Sequence, residues 1–231
     1  MRNDYIHITM VIDKSGSMWQ SKEDVVGGVK KIIDEQKANK DGKVTISLYT
    51  FNDKVSEDFV GVDVNNFPEF KYEPMGNTAM NDGIGTAIDK TGKWLADMNE
   101  EDRPGKVLLA IFTDGMENSS REYSLASVKE KIKHQTEVYS WNVIYLGTDI
   151  TDTKAADSLG IKTRTYGSRG MMAKNYDLIN TATSSYRAMA TMDSVSSEEL
   201  SMAFSSLLEK ESAKNTKLYE KKIGKKIEKT V

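Results

Sequence analysis

The apolar run Ile8-Thr9-Met10-Val11-Ile12 leads directly into Asp13-Lys14-Ser15-Gly16-Ser17. The run is rich in apolar and β-branched residues without strict alternation, which is typical of a strand covered on both faces of a sheet. A carboxylate and two hydroxyls then stand at alternate positions of the turn that leaves this strand. Because such a strand needs helices on both sides, the segment indicates an α/β fold with oxygen donors at the end of one strand.

Strands and helices alternate along the rest of the chain. The patterns predict strands over residues 5–12, 44–51, 55–60, 106–112, 138–146 and 162–166, and helices over residues 18–37, 79–98, 124–134 and 151–158. Repeated strand–helix–strand crossovers predict a doubly wound, mostly parallel, Rossmann-like sheet, with residues 55–60 as one antiparallel edge strand. In the common doubly wound order the first and fourth strands are neighbours, so Asp13 and Asp114 should reach one crevice at their carboxyl ends.

The pattern changes after Gly167-Ser168-Arg169-Gly170. We expect one domain over residues 1–168 and a C-terminal helical appendage over residues 169–231, ending in a tail rich in Lys and Glu. Ser196 and Glu199 have the spacing of a capping box at the start of a helix. For the tail, a solvated helix with paired charges is favoured over contact with nucleic acid or an acidic protein.

Composition excludes several classes of protein. The chain has 231 residues, a formal net charge of −3 and no cysteine, so disulfides and thiolate metal sites are impossible and there is no general attraction to nucleic acid. The N-terminus leads into a strand without a signal-peptide pattern, and no apolar stretch approaches the ~18–20 residues of a membrane span. We therefore expect a cytoplasmic protein without membrane contact; its oligomeric state is open.

Oxygen donors from three separate pieces of sequence should meet at the predicted crevice. They are Asp13, Ser15 and Ser17 after the first strand, Thr78 in Gly76-Asn77-Thr78, and Asp114 after the fourth strand. Alone, each piece also fits a turn or a helix N-cap. Together, without His or Cys, they predict a site for a hard divalent cation, Mg²⁺ or else Mn²⁺ or Ca²⁺, with an incomplete protein shell.

These five residues carry a resemblance to a known family. The chain resembles the von Willebrand factor A (vWA) family, whose metal-ion-dependent adhesion site (MIDAS) reads Asp-x-Ser-x-Ser, then Thr, then Asp, and it carries that site complete. The likeness covers about residues 5–168 and, in residues 119–124 and 143–149, is closest to stand-alone, intracellular-type members of bacteria and phages. The resemblance implies a non-enzymatic module whose metal takes an Asp or Glu carboxylate from a partner protein.

Two other functions stay open. Asp13 followed by Ser15 is similar to the Asp-x-Asp-x-Thr of haloacid-dehalogenase-like phosphatases, which would make the chain a metal-dependent phosphoryl or ester hydrolase. Ser15 replaces the acid–base carboxylate of that motif, and no phosphate-binding loop follows the first strand. The third possibility is a structural subunit, such as one of a virus particle, in which the metal is incidental.

Residues near the site have alternative interpretations. Trp19 fits the core and the rim of the crevice equally well. Met116 fits a core position better than the rim, and capping is favoured over a role near the metal for Asp82 and Glu117. For the paired glycines Gly27 and Gly28, in the middle of a predicted helix, close helix packing is favoured over phosphate binding.

Overall fold

A computed structural model of the chain describes residues 1–114, 116–147, 153–166, 172–191 and 195–228. The strands are β1 (Arg2–Asp13), β2 (Lys43–Phe51), β3 (Val55–Asp63), β4 (Pro104–Thr113), β5 (Asn142–Gly147) and β6 (Thr163–Tyr166). The α-helices are α1 (Lys22–Ala38), α2 (Met80–Ala96), α3 (Leu125–Val138), α4 (Thr153–Ser158), α5 (Met172–Ala190) and α6 (Ser197–Glu228). Among the described helices, none combines the length and the apolar character needed to cross a membrane.

The six strands form one sheet in the order β3-β2-β1-β4-β5-β6. All neighbouring strands are parallel except β2 and β3, which pair antiparallel. This confirms the predicted doubly wound α/β fold with one antiparallel edge strand. Because β1 lies between β2 and β4, the strand order reverses at β1, and its carboxyl end is the switch point where such sheets bind ligands.

Two hydrophobic cores lie on opposite faces of the sheet. Ile8 and Met10 of β1 belong to the core beneath α1, α5 and α6, whereas Val11 belongs to the core beneath α2 and α3. Side chains of a strand alternate between the two faces, so the unbroken apolar run of β1 supplies both cores. This explains why apolar residues of the run are found on both faces, without strict alternation between apolar and polar residues.

The helices that follow residue 168 contribute to the first of these cores. Tyr176 and Tyr186 of α5 and Phe204 of α6 are buried in the same cluster as the apolar residues of β1. The ring of Tyr176 stacks on Phe112 of β4, with 5.2 Å between the ring centroids. The division at residues 168 and 169 stays a prediction, but α5 and the first half of α6 cover the sheet and do not stand apart from it.

Close packing between α1 and α5 depends on a glycine. A Cβ at Gly28 would lie 2.1 Å from Cε2 of Tyr176, whereas a Cβ at the adjacent Gly27 would meet nothing within 4 Å. The predicted role of the paired glycines is therefore confirmed for Gly28.

Two predicted elements have different bounds in the structure. The chain enters α1 through a 3₁₀-helix, Gly16–Ser21, and not through an α-helix that begins at Met18. The predicted strand over residues 138–146 begins only at Asn142, because the bond from Tyr139 N to Gln135 O continues α3 through Val138. Val138 is β-branched, as strand residues often are, but it is exposed at the end of a helix.

Candidate metal centre

Asp13 is fixed at the end of β1 by its neighbours. It is fully buried; its Oδ1 accepts the N–H of Ser15 at 2.7 Å, and its Oδ2 accepts the hydroxyl of Thr113 at 2.7 Å. The hydroxyl of Tyr72 donates to the main-chain oxygen of Asp13 at 2.5 Å. The carboxylate is therefore held in one orientation between the ends of β1 and β4.

Four of the five predicted ligands are linked by short contacts. Ser15 Oγ lies 3.0 Å from Ser17 Oγ, and the Ser17 hydroxyl donates to Asp114 Oδ1 at 2.6 Å. Asp13 joins this group through its bond with Ser15. The parallel register that pairs Ile12 with Phe112 makes β1 and β4 end side by side, so residues distant in sequence meet at one point.

Main-chain contacts place Thr78 at the same edge of the sheet. The N–H of Gly16 donates to the carbonyl of Gly76 at 3.0 Å, which joins the loop of Ser15 and Ser17 to the loop of Thr78. Gly76 has a φ of +80°, and a Cβ there would lie 2.0 Å from Oδ2 of Asp53. Only glycine suits this position, because it tolerates positive φ and adds no side chain.

The loop after β4 is fastened to the beginning of α2. Asn118 Oδ1 accepts the N–H of Thr78 at 2.9 Å, and Asn118 N donates to the Thr78 carbonyl at 3.0 Å. The Glu117 carboxylate accepts the N–H groups of Asn81 at 2.8 Å and Ser120 at 2.7 Å. Free N–H groups at a helix start need such acceptors, so Glu117 has the predicted capping role.

Asp82 fixes the following segment in the same way. Its carboxylate accepts the N–H groups of Arg121, Glu122 and Tyr123 at 2.8 to 2.9 Å. Capping and solvation were the favoured interpretations of Asp82, but its three partners lie in the loop before α3, whose N-cap is Ser124, so Asp82 holds a loop and does not cap a helix. The sequence analysis did not identify Asn118. The signal that could have found it is the pair of side-chain acceptors Glu117 and Asn118 after Met116, because the first N–H groups of a nearby helix need partners.

Burial makes ionisation of the two carboxylates unfavourable. Burial raises the pKa of Asp13 to about 6 and also raises the pKa of Asp114, against the opposing effect of their hydrogen bonds. Within the part of the chain that the structure describes, neither side chain forms an ion pair with Lys or Arg. A cation bound between them would relieve this cost.

The donor set fits a hard divalent cation. Hydroxyl and carboxylate oxygens are the ligands that Mg²⁺ and Mn²⁺ accept, and these ions keep water or outside ligands in the remaining positions. The described residues contain no group of three or more His, Cys, Asp or Glu side chains arranged around a common point. A cation here would therefore be held largely by neutral hydroxyls. The roles of Asp13, Ser15, Ser17, Thr78 and Asp114 as ligands stay predictions.

Comparison with known proteins gives structural matches only. No protein-family model matches the sequence, and no curated protein matches it. The fold is similar to proximal thread matrix protein 1 of the mussel byssus with a zinc-occupied MIDAS motif, at a TM-score of 0.55 and 16% identity over 78% of this chain and 46% of that one. This chain therefore spans about half of the mussel protein.

Two further solved structures agree. Manganese-loaded TRAP protein of Plasmodium vivax matches with a TM-score of 0.51 and 18% identity over 76% of this chain and 74% of that one. The vWF domain of the pilus tip protein Mfa5 from Porphyromonas gingivalis matches with a TM-score of 0.58 and 9% identity over 83% of this chain and 98% of that one. Identities this low show the fold alone: the chain has the α/β fold of vWA domains.

Proposed function

We propose that this chain is a non-enzymatic protein-interaction module that binds a divalent cation through Asp13, Ser15, Ser17, Thr78 and Asp114. In this proposal a partner protein supplies an Asp or Glu carboxylate to the cation. The observation that carries the proposal is the convergence of Ser15 Oγ, Ser17 Oγ and Asp114 Oδ1 at the switch point of the sheet.

The composition of the site explains why the partner would be acidic. Three of the proposed ligands are neutral hydroxyls, and neutral ligands leave much of the charge of a divalent cation uncompensated. A carboxylate from outside then gains a strong, partly desolvated contact. Mg²⁺ is the expected ion because it accepts oxygen ligands and retains open positions. Two proteins with this fold, one with a zinc-occupied MIDAS motif and one manganese-loaded, support a divalent cation in general.

Hydrolysis is the less favoured function. A hydrolase of this kind needs an acid–base group beside the cation. The two histidines lie elsewhere: the ring of His7 packs on Trp94 at 4.6 Å, and the ring of His134 packs on Tyr139 at 5.5 Å. Lys14 is the nearest basic residue in sequence, and its backbone is tied to Phe51 and Met75.

Metal binding is tested by thermal unfolding. Wild-type protein should gain about 2.7 kcal/mol of stability when Mg²⁺ or Mn²⁺ is present at about 100 times its Kd. Asp114→Ala should fold but lose the gain, whereas Asp34→Ala, which removes an exposed carboxylate paired with Lys30, should keep it. Equal gains in wild type and Asp114→Ala would mean that the ion binds elsewhere.

Partner binding is tested with a phage-displayed library of random peptides. Wild-type protein in Mg²⁺ should enrich peptides that contain Asp or Glu, and chelator should abolish the enrichment. The double variant Ser15→Ala with Ser17→Ala should behave like chelated wild type. Enrichment that survives chelator would place the binding surface away from the metal. Phosphatase or esterase turnover that disappears in Asp13→Asn would favour the hydrolase instead.

A further inference from the structure

Three large apolar side chains around the proposed metal centre are exposed. Trp19 is 60% exposed, Met75 is 63% exposed and Met116 is 75% exposed. We call these three residues the apolar collar. They lie on three different segments, Trp19 in the 3₁₀-helix Gly16–Ser21 and the two methionines in loops, and each stands within three positions of a proposed ligand along the chain.

Hydrogen bonds join the three segments that carry the collar residues. The N–H of Met75 donates to the carbonyl of Lys14 at 2.8 Å, which sets the residue against the loop that leads to Trp19. The paired bonds between Asn118 and Thr78 join the loop of Met116 to the loop of Met75. The collar residues therefore stand on segments that are joined to one another and that carry the proposed ligands.

Trp19 is exposed although the residue before it is buried. Met18, the residue before Trp19, is fully buried in the core beneath α1. Contiguous apolar patches on the order of a few hundred Å² commonly mark binding sites on soluble proteins. Trp is enriched among residues that dominate binding energy, and Met adapts its shape to different partners.

Two charged side chains beside the collar, those of Lys22 and Asp53, have partners within the protein. The Lys22 ammonium lies 5.4 Å from the centre of the Trp19 ring but pairs with Glu73 at 2.8 Å. Asp53 accepts two hydrogen bonds from Asn77. Both charged groups therefore have partners already, and a bound cation would add a concentrated positive charge beside the collar.

We propose that the collar and the cation together select a protein segment in which one Asp or Glu is flanked by large apolar side chains. This inference rests on the proposed function. The carboxylate would bind the cation while the flanking side chains pack on Trp19, Met75 and Met116. Such packing excludes water from the metal–carboxylate contact, and a charged contact is stronger where water is excluded.

The test uses two phage-displayed peptide libraries that are random except for a central Asp in one and a central Asn in the other. Three full-length proteins are compared in Mg²⁺: wild type, a collar variant with Trp19→Ser, Met75→Ser and Met116→Ser, and a control variant. The control carries Val138→Ser, Tyr139→Ser and Met202→Ser, which replace apolar residues that are 59%, 61% and 67% exposed and lie outside the metal-centre loops. Thermal unfolding with and without Mg²⁺ checks that each protein folds and binds the ion.

Wild type and control should enrich Leu, Ile, Phe, Met or Trp beside the central Asp and should enrich nothing from the Asn library. The collar variant should bind the selected peptides at least about tenfold more weakly, equivalent to about 1.4 kcal/mol, with an unchanged Mg²⁺ shift. Two results would refute the role of the collar and leave the proposed function standing. One is metal-dependent selection of Asp without apolar neighbours, and the other is equally tight binding by the collar variant. Absence of metal-dependent selection in the Asp library would refute the proposed function and this inference with it.

Discussion

Thr78 and Asn118 lie 40 positions apart in the chain and form two hydrogen bonds with each other, of 2.9 and 3.0 Å. The first bond uses the side-chain oxygen of Asn118, and the second uses its backbone N–H. One residue thus determines where the loop after β4 lies relative to the loop before α2. The spacing between two proposed metal ligands, Thr78 and Asp114, depends on this pair.

Asn118→Ala should weaken Mg²⁺ binding about 10-fold or more, although Asn118 is not a proposed ligand, because residues that orient ligands carry effects of this size. The affinity is measured by following thermal stability across a Mg²⁺ titration. Asn99→Ala is the matched control, since Asn99 is exposed and its side chain donates to Asp102, far from the metal-centre loops in sequence. Equal affinities in the two variants would contradict a positioning role for Asn118.

Gly27 and Gly28 offer a matched pair of substitutions in α1. Gly27→Ala should stabilise the protein by up to about 1 kcal/mol, because Ala favours helices over Gly and the new Cβ meets nothing within 4 Å. Gly28→Ala should destabilise it by about 1–3 kcal/mol, because the Cβ would collide with the Tyr176 ring. Urea unfolding measures both. Stabilisation by both substitutions would mean that α5 does not pack on α1 as described.

Arg187 tests whether the C-terminal helices belong to the same folding unit as the sheet. Its buried guanidinium donates to the carbonyls of Gln36, at 3.2 Å, and Asn39, at 2.8 Å, at the end of α1. Arg187→Met should lower the free energy of unfolding by roughly 2–4 kcal/mol, because the carbonyls that accept hydrogen bonds from the charged guanidinium would lose their donor. The exposed Arg121→Met should cost far less. Two separate unfolding transitions in wild type would instead support an independent appendage.

His7 should make stability depend on pH. Burial lowers its pKa to about 3 from an ordinary value of 6.5. The unfolded chain then binds a proton that the folded protein does not, so stability should fall as pH drops from about 6.5 towards 3, by at most about 1.4 kcal/mol per unit. His7→Gln should flatten this slope in urea titrations. Asp13, whose raised pKa of about 6 acts in the opposite direction, is present in both proteins. An unchanged slope would refute the prediction.

The sequence was sufficient for the parts of the fold that depend on local pattern. The run from Ile8 to Ile12 and the polar turn after it identified a strand buried on both faces, and the crossovers then required Asp13 and Asp114 to share one crevice. Both conclusions follow from the period of side chains and the handedness of crossovers, which act on any sequence. The structure places the two carboxylates at the same point.

Other features depended on contacts that no local pattern reveals. Trp19 fitted the core and the rim equally, and only the 3₁₀ entry to α1 determines that Met18 points inwards and Trp19 outwards. Val138 suggested a strand because it is β-branched, yet hydrogen bonds of the preceding helical turn extend through it. The partner of Asn118 lies on another loop, so no local pattern could reveal this contact either. Composition left open whether the C-terminal segment packs on the sheet or frays, and the contact that places Phe204 in the core is not visible in local sequence.

The order of the elements along the chain has a consequence for synthesis on the ribosome. All five proposed ligands have been made by residue 114, but the sheet face that carries Ile8 and Met10 receives its α5 and α6 cover only from residue 172 onwards. A nascent chain can therefore assemble the metal-binding loops while a strip of apolar β1 is still open to solvent. Such a strip attracts chaperones and other nascent chains. Translational pausing before α5 should consequently favour aggregation more than pausing within α6.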